Sequence, residues 1–160
     1  MSNVRWARIG FALLAWLLVG LAIVQVYLAG AAVFADLTRA GNFEMHRNFG
    51  WLIGIITLVQ LVLAFAGRLG WRMIGGSALL FALLVVQSVL VHIGTPNLAA
   101  LHPVNGFLIV VLALLMAWRG VGYIRAPLPP EPVHQVAAPA PAPAAGPPPQ
   151  APDPAADDQA

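Results

Sequence analysis

Four long apolar segments alternate with short polar or turn-forming stretches along this chain. The apolar segments lie at about residues 9–34, 48–67, 71–93 and 104–124, and none carries a charge near its middle. Each is close to the ~20 residues that an α-helix needs to cross the hydrocarbon core of a bilayer. We therefore predict an all-α fold, a four-helix transmembrane bundle at residues 1–125. Short connections make consecutive helices antiparallel neighbours.

The composition changes abruptly after residue 125. Residues 126–160 are rich in proline and alanine and carry a few acidic residues near the end. A segment of this kind cannot bury an apolar core, and so we predict a disordered tail. His134 lies within this tail, and we assign it no role.

The overall composition agrees with a membrane protein and excludes several other classes. The 160 residues are 60% hydrophobic and 9% charged, whereas about a quarter of the residues of a soluble domain are charged. The absence of cysteine excludes disulfides, thiolate metal sites and cysteine nucleophiles. The arginines lie at the ends of the apolar segments and form no basic face. We therefore expect the lipid bilayer as a partner and no nucleic acid.

The distribution of arginines predicts the orientation in the membrane. Two arginines, Arg39 and Arg47, fall on one side of the predicted bundle. Those on the other side are Arg5, Arg8, Arg68, Arg72, Arg119 and Arg125. Because positive residues concentrate in cytoplasmic loops, we predict a multi-pass protein of the cell membrane with both termini and the tail in the cytoplasm. The histidines of the bundle then lie at its outer face.

Two stretches of the sequence read alike. In each, a Val-Gln pair lies late in one apolar segment, and a His-x-x-x-Gly motif opens the next. The two sets are Gln25, His46, Gly50 and Gln87, His102, Gly106. We predict two repeated helical hairpins related by a pseudo-two-fold axis, so that the two histidines face each other at equal depth.

Helical periodicity places the polar residues of the second and fourth segments on single faces. At about 100° per residue, the two faces comprise His46, Gly50, Ile53, Thr57, Gln60 and His102, Gly106, Ile109, Ala113, Met116. In lipid, polar side chains turn toward the bundle interior, and small residues mark close packing. A glycine one turn from each histidine therefore leaves room beside the imidazole for a flat, bulky group.

This pattern fits a b-type haem held by two histidines. Such a site needs neutral imidazoles from facing helices, an apolar slot and small residues against the macrocycle. We predict His46 and His102 as the axial ligands and Gly50 and Gly106 as the small residues. The protein would then act in electron transfer or haem handling, with a redox partner or other membrane subunits.

Three polar residues near this site have several interpretations. Gln25 and Gln87 lie deeper on the first and third helices, where they either support the site by hydrogen bonds or tie the helices together. Arg47 follows His46 directly and is placed to meet a haem propionate at the outer surface.

Two other interpretations of the histidines remain open. The chain is a structural or accessory membrane subunit without a cofactor if His46 and His102 are merely interfacial. Alternatively, His92 joins them in a three-imidazole copper or zinc site at the outer face, since imidazole suits both metals. His92 has no counterpart in the first hairpin, where Gly30 occupies the equivalent position.

At His46–Gly50 and Leu101–Gly106, the chain resembles an uncharacterised family of small bacterial four-helix membrane proteins, a domain of unknown function. The likeness covers about residues 8–120. More distantly, a Val-Gln pair followed by a helix-opening histidine is similar to one half of haem A synthase, in which paired histidines hold a b-type haem. That resemblance implies haem ligation by His46 and His102. The acidic residue required by that enzyme has no counterpart here, so the resemblance does not extend to synthase activity.

Overall fold

The computed structural model describes residues 3–35 and 43–127, and all its regular elements are helices. The helices are α1 Asn3–Ala35, α2 Glu44–Ala66, α3 Trp71–Leu90, α4 Pro96–Ala99 and α5 Leu101–Arg125. Four spans are long and apolar enough to cross a membrane: α1, α2, α3, and α4 with α5 as one stretch. The predicted four-helix transmembrane bundle is thereby confirmed. Most of the predicted tail, with His134, and the first-loop residue Arg39 lie outside the described residues.

The helix boundaries differ from the predicted ones by a few residues. Helix α2 begins at Glu44 rather than residue 48, and α5 begins at Leu101 rather than residue 104. Both histidines therefore lie inside the first turn of a helix instead of in front of it. The predicted loop 94–100 contains the single-turn helix α4, which starts with Pro96. Proline has a backbone angle suited to a first helical position, where its missing N–H is not needed.

The four long helices form a closed ring. Helix α1 packs against α2 and α5, and α3 packs against the same two helices. Helices α2 and α5 are therefore diagonal to each other across the bundle, as are α1 and α3. This arrangement allows the N-terminal turns of α2 and α5, which carry His46 and His102, to meet on the bundle axis.

Small and apolar residues fill the interior between the helices. One buried cluster includes Phe11, Met73 and Met116, and a second includes Leu18 and Leu80. Close approach is possible where glycine removes a side chain: a Cβ built on Gly120 would lie 3.2 Å from the Phe11 ring. Many large apolar side chains on the outside of the ring are exposed, as expected of surfaces that face lipid.

Arg8 joins three helices at one end of the bundle. Its side chain is only 3% exposed, and its Nε donates to the carbonyl oxygen of Gly67 at 3.0 Å. Its Nη1 donates to the carbonyl oxygens of Tyr123, at 3.2 Å, and Ala126, at 2.9 Å. These carbonyls belong to the C-terminal ends of α2 and α5, where a positive charge is favoured by the helix dipole.

We call this end, marked by Arg8, Gly67 and Tyr123, the arginine end. The opposite end, marked by His46 and His102, is the histidine end.

Candidate bis-histidine site

His46 and His102 meet at the histidine end of the bundle. Their ring centroids lie 6.2 Å apart, and the ring planes make an angle of 57°. Both side chains are half-buried. They come from the diagonally opposed helices α2 and α5, as predicted for two histidines facing each other.

Each imidazole is held by a backbone carbonyl of the preceding long helix. Nδ1 of His46 lies 3.2 Å from the carbonyl oxygen of Gln25, and Nδ1 of His102 lies 3.1 Å from that of Gln87. A carbonyl oxygen can only accept a hydrogen bond, so each Nδ1 must carry the proton. In a neutral imidazole the other nitrogen, Nε2, is then an acceptor and is competent to ligate a metal.

The two glycines lie against glutamine amides. A Cβ built on Gly50 would lie 3.3 Å from Nε2 of Gln25, and one built on Gly106 would lie 3.3 Å from Nε2 of Gln87. The sequence predicts that each glycine makes room beside an imidazole. In the structure, each makes room for the glutamine whose carbonyl holds the neighbouring histidine, and the same contact occurs in both hairpins.

The two glutamine side chains have different partners. The Gln25 amide nitrogen donates to the His46 carbonyl oxygen at 2.8 Å and lies 3.4 Å from His46 Nε2. Its amide oxygen is buried and has no partner among the described residues. The amide oxygen of Gln87, by contrast, accepts a hydrogen bond from Asn105 Nδ2 at 2.6 Å.

Asn105 also belongs to the site. Its role as a hydrogen-bond donor to Gln87 is not predicted from the sequence. Its side-chain nitrogen also donates to the Leu83 carbonyl oxygen at 2.8 Å, and the residue is 7% exposed. The sequence feature that could have indicated this role is the position of Asn105 directly before Gly106. In the first hairpin Phe49 precedes Gly50, which accounts for the unpartnered oxygen of Gln25.

His92 and Arg47 lie apart from the pair. His92 is exposed, and its Nδ1 contacts the Ser88 carbonyl oxygen of its own helix segment at 2.6 Å. Within residues 3–35 and 43–127, no group of three histidine, cysteine or acidic residues could hold a metal ion. The structure therefore brings together two of the three proposed copper or zinc ligands. Arg47 is exposed at the rim beside His46.

The distance between the two ring centroids is compatible with ligation of one metal by both imidazoles. A metal–imidazole distance of about 2 Å on each side places two opposed ring centroids roughly 6 Å apart, close to the observed 6.2 Å. The tilt between the rings does not conflict with this geometry, because each imidazole can turn about its own metal–nitrogen bond. The donor set, two imidazoles at the end of an apolar bundle, is also of the kind that holds a b-type haem.

Residues 25–95 match the model of a family of unknown function, DUF6220. The matched stretch begins at Gln25, includes His46 and ends in the loop before α5, so that it contains one of the two paired histidines. Over this stretch the predicted likeness to a domain of unknown function is confirmed. No curated protein and no solved structure significantly matches the chain. The likeness to one half of haem A synthase stays a prediction.

Proposed function

We propose that this integral membrane protein binds a b-type haem between His46 and His102 and acts in electron transfer or haem handling. The observation that carries the proposal is the pair of imidazoles at 6.2 Å, each with Nδ1 held by a backbone carbonyl. Metal-ligating histidines almost always donate their second ring N–H to a carbonyl, a carboxylate or water. The contact fixes the tautomer, and Nε2 is then the nitrogen that would bind the metal, which at His46 requires the Gln25 amide 3.4 Å away to give way.

Each residue of the site has a distinct part in this proposal. His46 and His102 would hold the haem iron. Gln25 and Gln87 hold the rings through their backbone carbonyls, and Gly50 and Gly106 let the glutamine amides approach. The bound haem supplies an iron that takes up and releases one electron.

We also propose that the two hairpins are copies of one unit and that both termini are cytoplasmic. The corresponding histidine–carbonyl and glycine–amide contacts of the two hairpins support the first point. The number of arginines at the arginine end supports the second. The haem would then lie near the outer face of the cell membrane, where Arg47 can reach a propionate and a redox partner or another membrane subunit can approach.

The proposal is tested by the absorption spectrum of the full-length protein purified from haem-replete cells. We expect a reducible b-type spectrum with about one haem per chain, lost in His46→Ala and in His102→Ala. His92→Ala is the matched control, because it removes a histidine from the same end that is not part of the pair, and it should keep the spectrum. A colourless wild-type protein, or equal loss in all three variants, would overturn the proposal.

A second candidate function is that of a structural subunit without a cofactor. It is favoured by the Gln25 amide, which already lies 3.4 Å from His46 Nε2 and donates to the His46 carbonyl oxygen. On this view the glutamines and histidines form a network that ties the helices together. Protein from haem-depleted cells should then have the same unfolding temperature as protein from haem-replete cells, whereas a bound haem stabilises the native state.

A further inference from the structure

A cavity of about 560 Å³ lies between α3 and α5 at the arginine end, away from the histidine pair. Its lining residues are Arg72, Met73, Arg119, Gly122, Tyr123 and Ala126. The two arginines are exposed, and the other lining residues include small and apolar ones. The cavity is therefore an open cleft with two guanidinium groups at a surface that otherwise faces lipid.

The charges at this end are not balanced by carboxylates of the described chain. Within residues 3–35 and 43–127 the single acidic residue is Glu44, which starts α2 at the histidine end. Arg8 is engaged by helix carbonyls, whereas Arg72 and Arg119 line the open cleft. Among residues 3–35 and 43–127, neither of these two guanidinium groups has an acidic side chain at its own end of the bundle.

Two tryptophans indicate that the cleft lies at the level of the lipid headgroups. Trp71 and Trp118, each next to one of the cleft arginines in sequence, are 79% and 75% exposed. The guanidinium carbon of Arg72 lies 5.8 Å from the centre of a Trp71 ring. Exposed tryptophans at helix ends are typical of the membrane–water interface, which is also where lipid phosphates lie.

We propose that this cleft binds the phosphate group of an anionic phospholipid. Guanidinium groups match the geometry of phosphate oxygens and bind them in a bidentate manner. Basic pockets between transmembrane helices are sites for anionic lipid headgroups. The open space beside Gly122, where a Cβ would meet nothing within 4 Å, leaves room for the headgroup between the arginines and Tyr123. This inference is independent of the haem.

The test is native mass spectrometry of the full-length protein in detergent, titrated with phosphatidylglycerol and with phosphatidylcholine of the same acyl chains. We expect tighter retention of phosphatidylglycerol. The double variant Arg72→Gln/Arg119→Gln should weaken that retention by about twenty-fivefold, since one arginine near an anionic surface typically contributes roughly fivefold. Phosphatidylcholine retention should not change.

The matched control is Arg5→Gln/Arg68→Gln, which removes the same charge from exposed positions at the same end that do not line the cleft. We expect it to change phosphatidylglycerol retention by less than about threefold. Equal loss in both double variants, or no preference over phosphatidylcholine, would contradict the proposal. Inorganic phosphate is titrated in parallel, and binding as tight as that of the lipid would instead assign the cleft to a free anion. The double variant Arg72→Lys/Arg119→Lys retains the charge and should bind more tightly than the glutamine pair.

Discussion

At the scale of single residues, each histidine contacts the backbone carbonyl of a glutamine whose side-chain amide lies against a glycine. Gly50 and Gly54 lie one turn apart on α2 but differ in their surroundings. A Cβ on Gly50 would lie 3.3 Å from the Gln25 amide nitrogen, whereas one on Gly54 would meet nothing within 4 Å. Substituting alanine at each of these two positions therefore distinguishes the effect of crowding at the site from the effect of helix propensity.

We predict different effects for Gly50→Ala and Gly54→Ala. In Gly54→Ala, the better helix propensity of alanine should raise stability by about 0.5–1 kcal/mol. In Gly50→Ala, the new Cβ would lie 3.3 Å from the Gln25 amide nitrogen, and we expect the resulting shift of the amide to offset that gain and to weaken haem binding. Thermal unfolding in detergent and the haem content measure the two effects. Equal stabilisation with unchanged haem content would show that the glycine contact does not position the histidine.

Gln60 is the most unusual residue in the middle of the bundle. It is fully buried, and neither atom of its amide has a partner among the described residues. The fully buried Thr57 and Ser77 donate to carbonyl oxygens of their own helices. Met116 occupies the corresponding position in the second hairpin, so a side chain of similar length without an amide is compatible with the proposed repeat.

We therefore predict that Gln60→Met stabilises the protein by about 1–3 kcal/mol, because it removes a buried amide with no partner. The measurement is unfolding in a denaturing detergent. Leu63→Met, a substitution in the same helix that removes no polar group, serves as the control. A loss of stability in Gln60→Met would show that the amide has a partner, such as an internal water molecule.

At the scale of the helices, the ends rather than the middles carry the polar contacts between elements. Arg8 of α1 binds the C-terminal carbonyls of α2 and α5 at the arginine end. At the histidine end, His46 and His102 each contact a carbonyl of a neighbouring helix. Between the arginine end and the histidine end, the helices meet through apolar and small residues. The exceptions are Gln60 and the hydroxyl groups of Thr57 and Ser77.

We predict that Arg8→Met destabilises the bundle by about 3 kcal/mol, because charged hydrogen bonds contribute about 1.5–3 kcal/mol each and the helix carbonyls lose their donor. Arg5→Met changes an exposed arginine on the same helix and should cost less than about 0.5 kcal/mol. Unfolding of both variants in a denaturing detergent gives the comparison. If both variants had similarly small effects, water would replace the Arg8 contacts without loss of stability.

At the scale of the whole molecule, the two ends of the bundle differ in charge and in chemistry. The arginine end carries Arg72 and Arg119 in an open cleft, and the histidine end carries the imidazole pair. The orientation of this asymmetric bundle decides which side of the membrane each site faces.

We predict that the histidine end faces outward, and the absence of cysteine makes this easy to test. Thr95→Cys places a thiol at an exposed position in the loop before α5, and Pro127→Cys places one at the arginine end. A membrane-impermeant maleimide should label Thr95→Cys in intact cells and Pro127→Cys only after permeabilisation. The reverse pattern would show that the arginine count does not set the orientation of this protein.

The sequence by itself determined the number of spans, their approximate limits and the pairing of His46 with His102. Helix formation in lipid is a local requirement, because every backbone N–H and C=O must find its partner within the segment. Length and hydropathy are therefore enough to predict the spans. The recurrence of Val-Gln and His-x-x-x-Gly was enough to predict that two histidines come together.

Only the tertiary structure decided which atoms meet. The approach of each glutamine amide to a glycine, the bond from Asn105 to Gln87 and the burial of Arg8 against Gly67 all depend on the rotation and depth of one helix relative to another. Packing of side chains on all four helices sets these quantities. The periodicity of a single segment is consequently not enough to predict these contacts. The separation of His92 from the pair is also a tertiary feature: His92 follows the end of α3 and contacts the Ser88 carbonyl oxygen of its own segment.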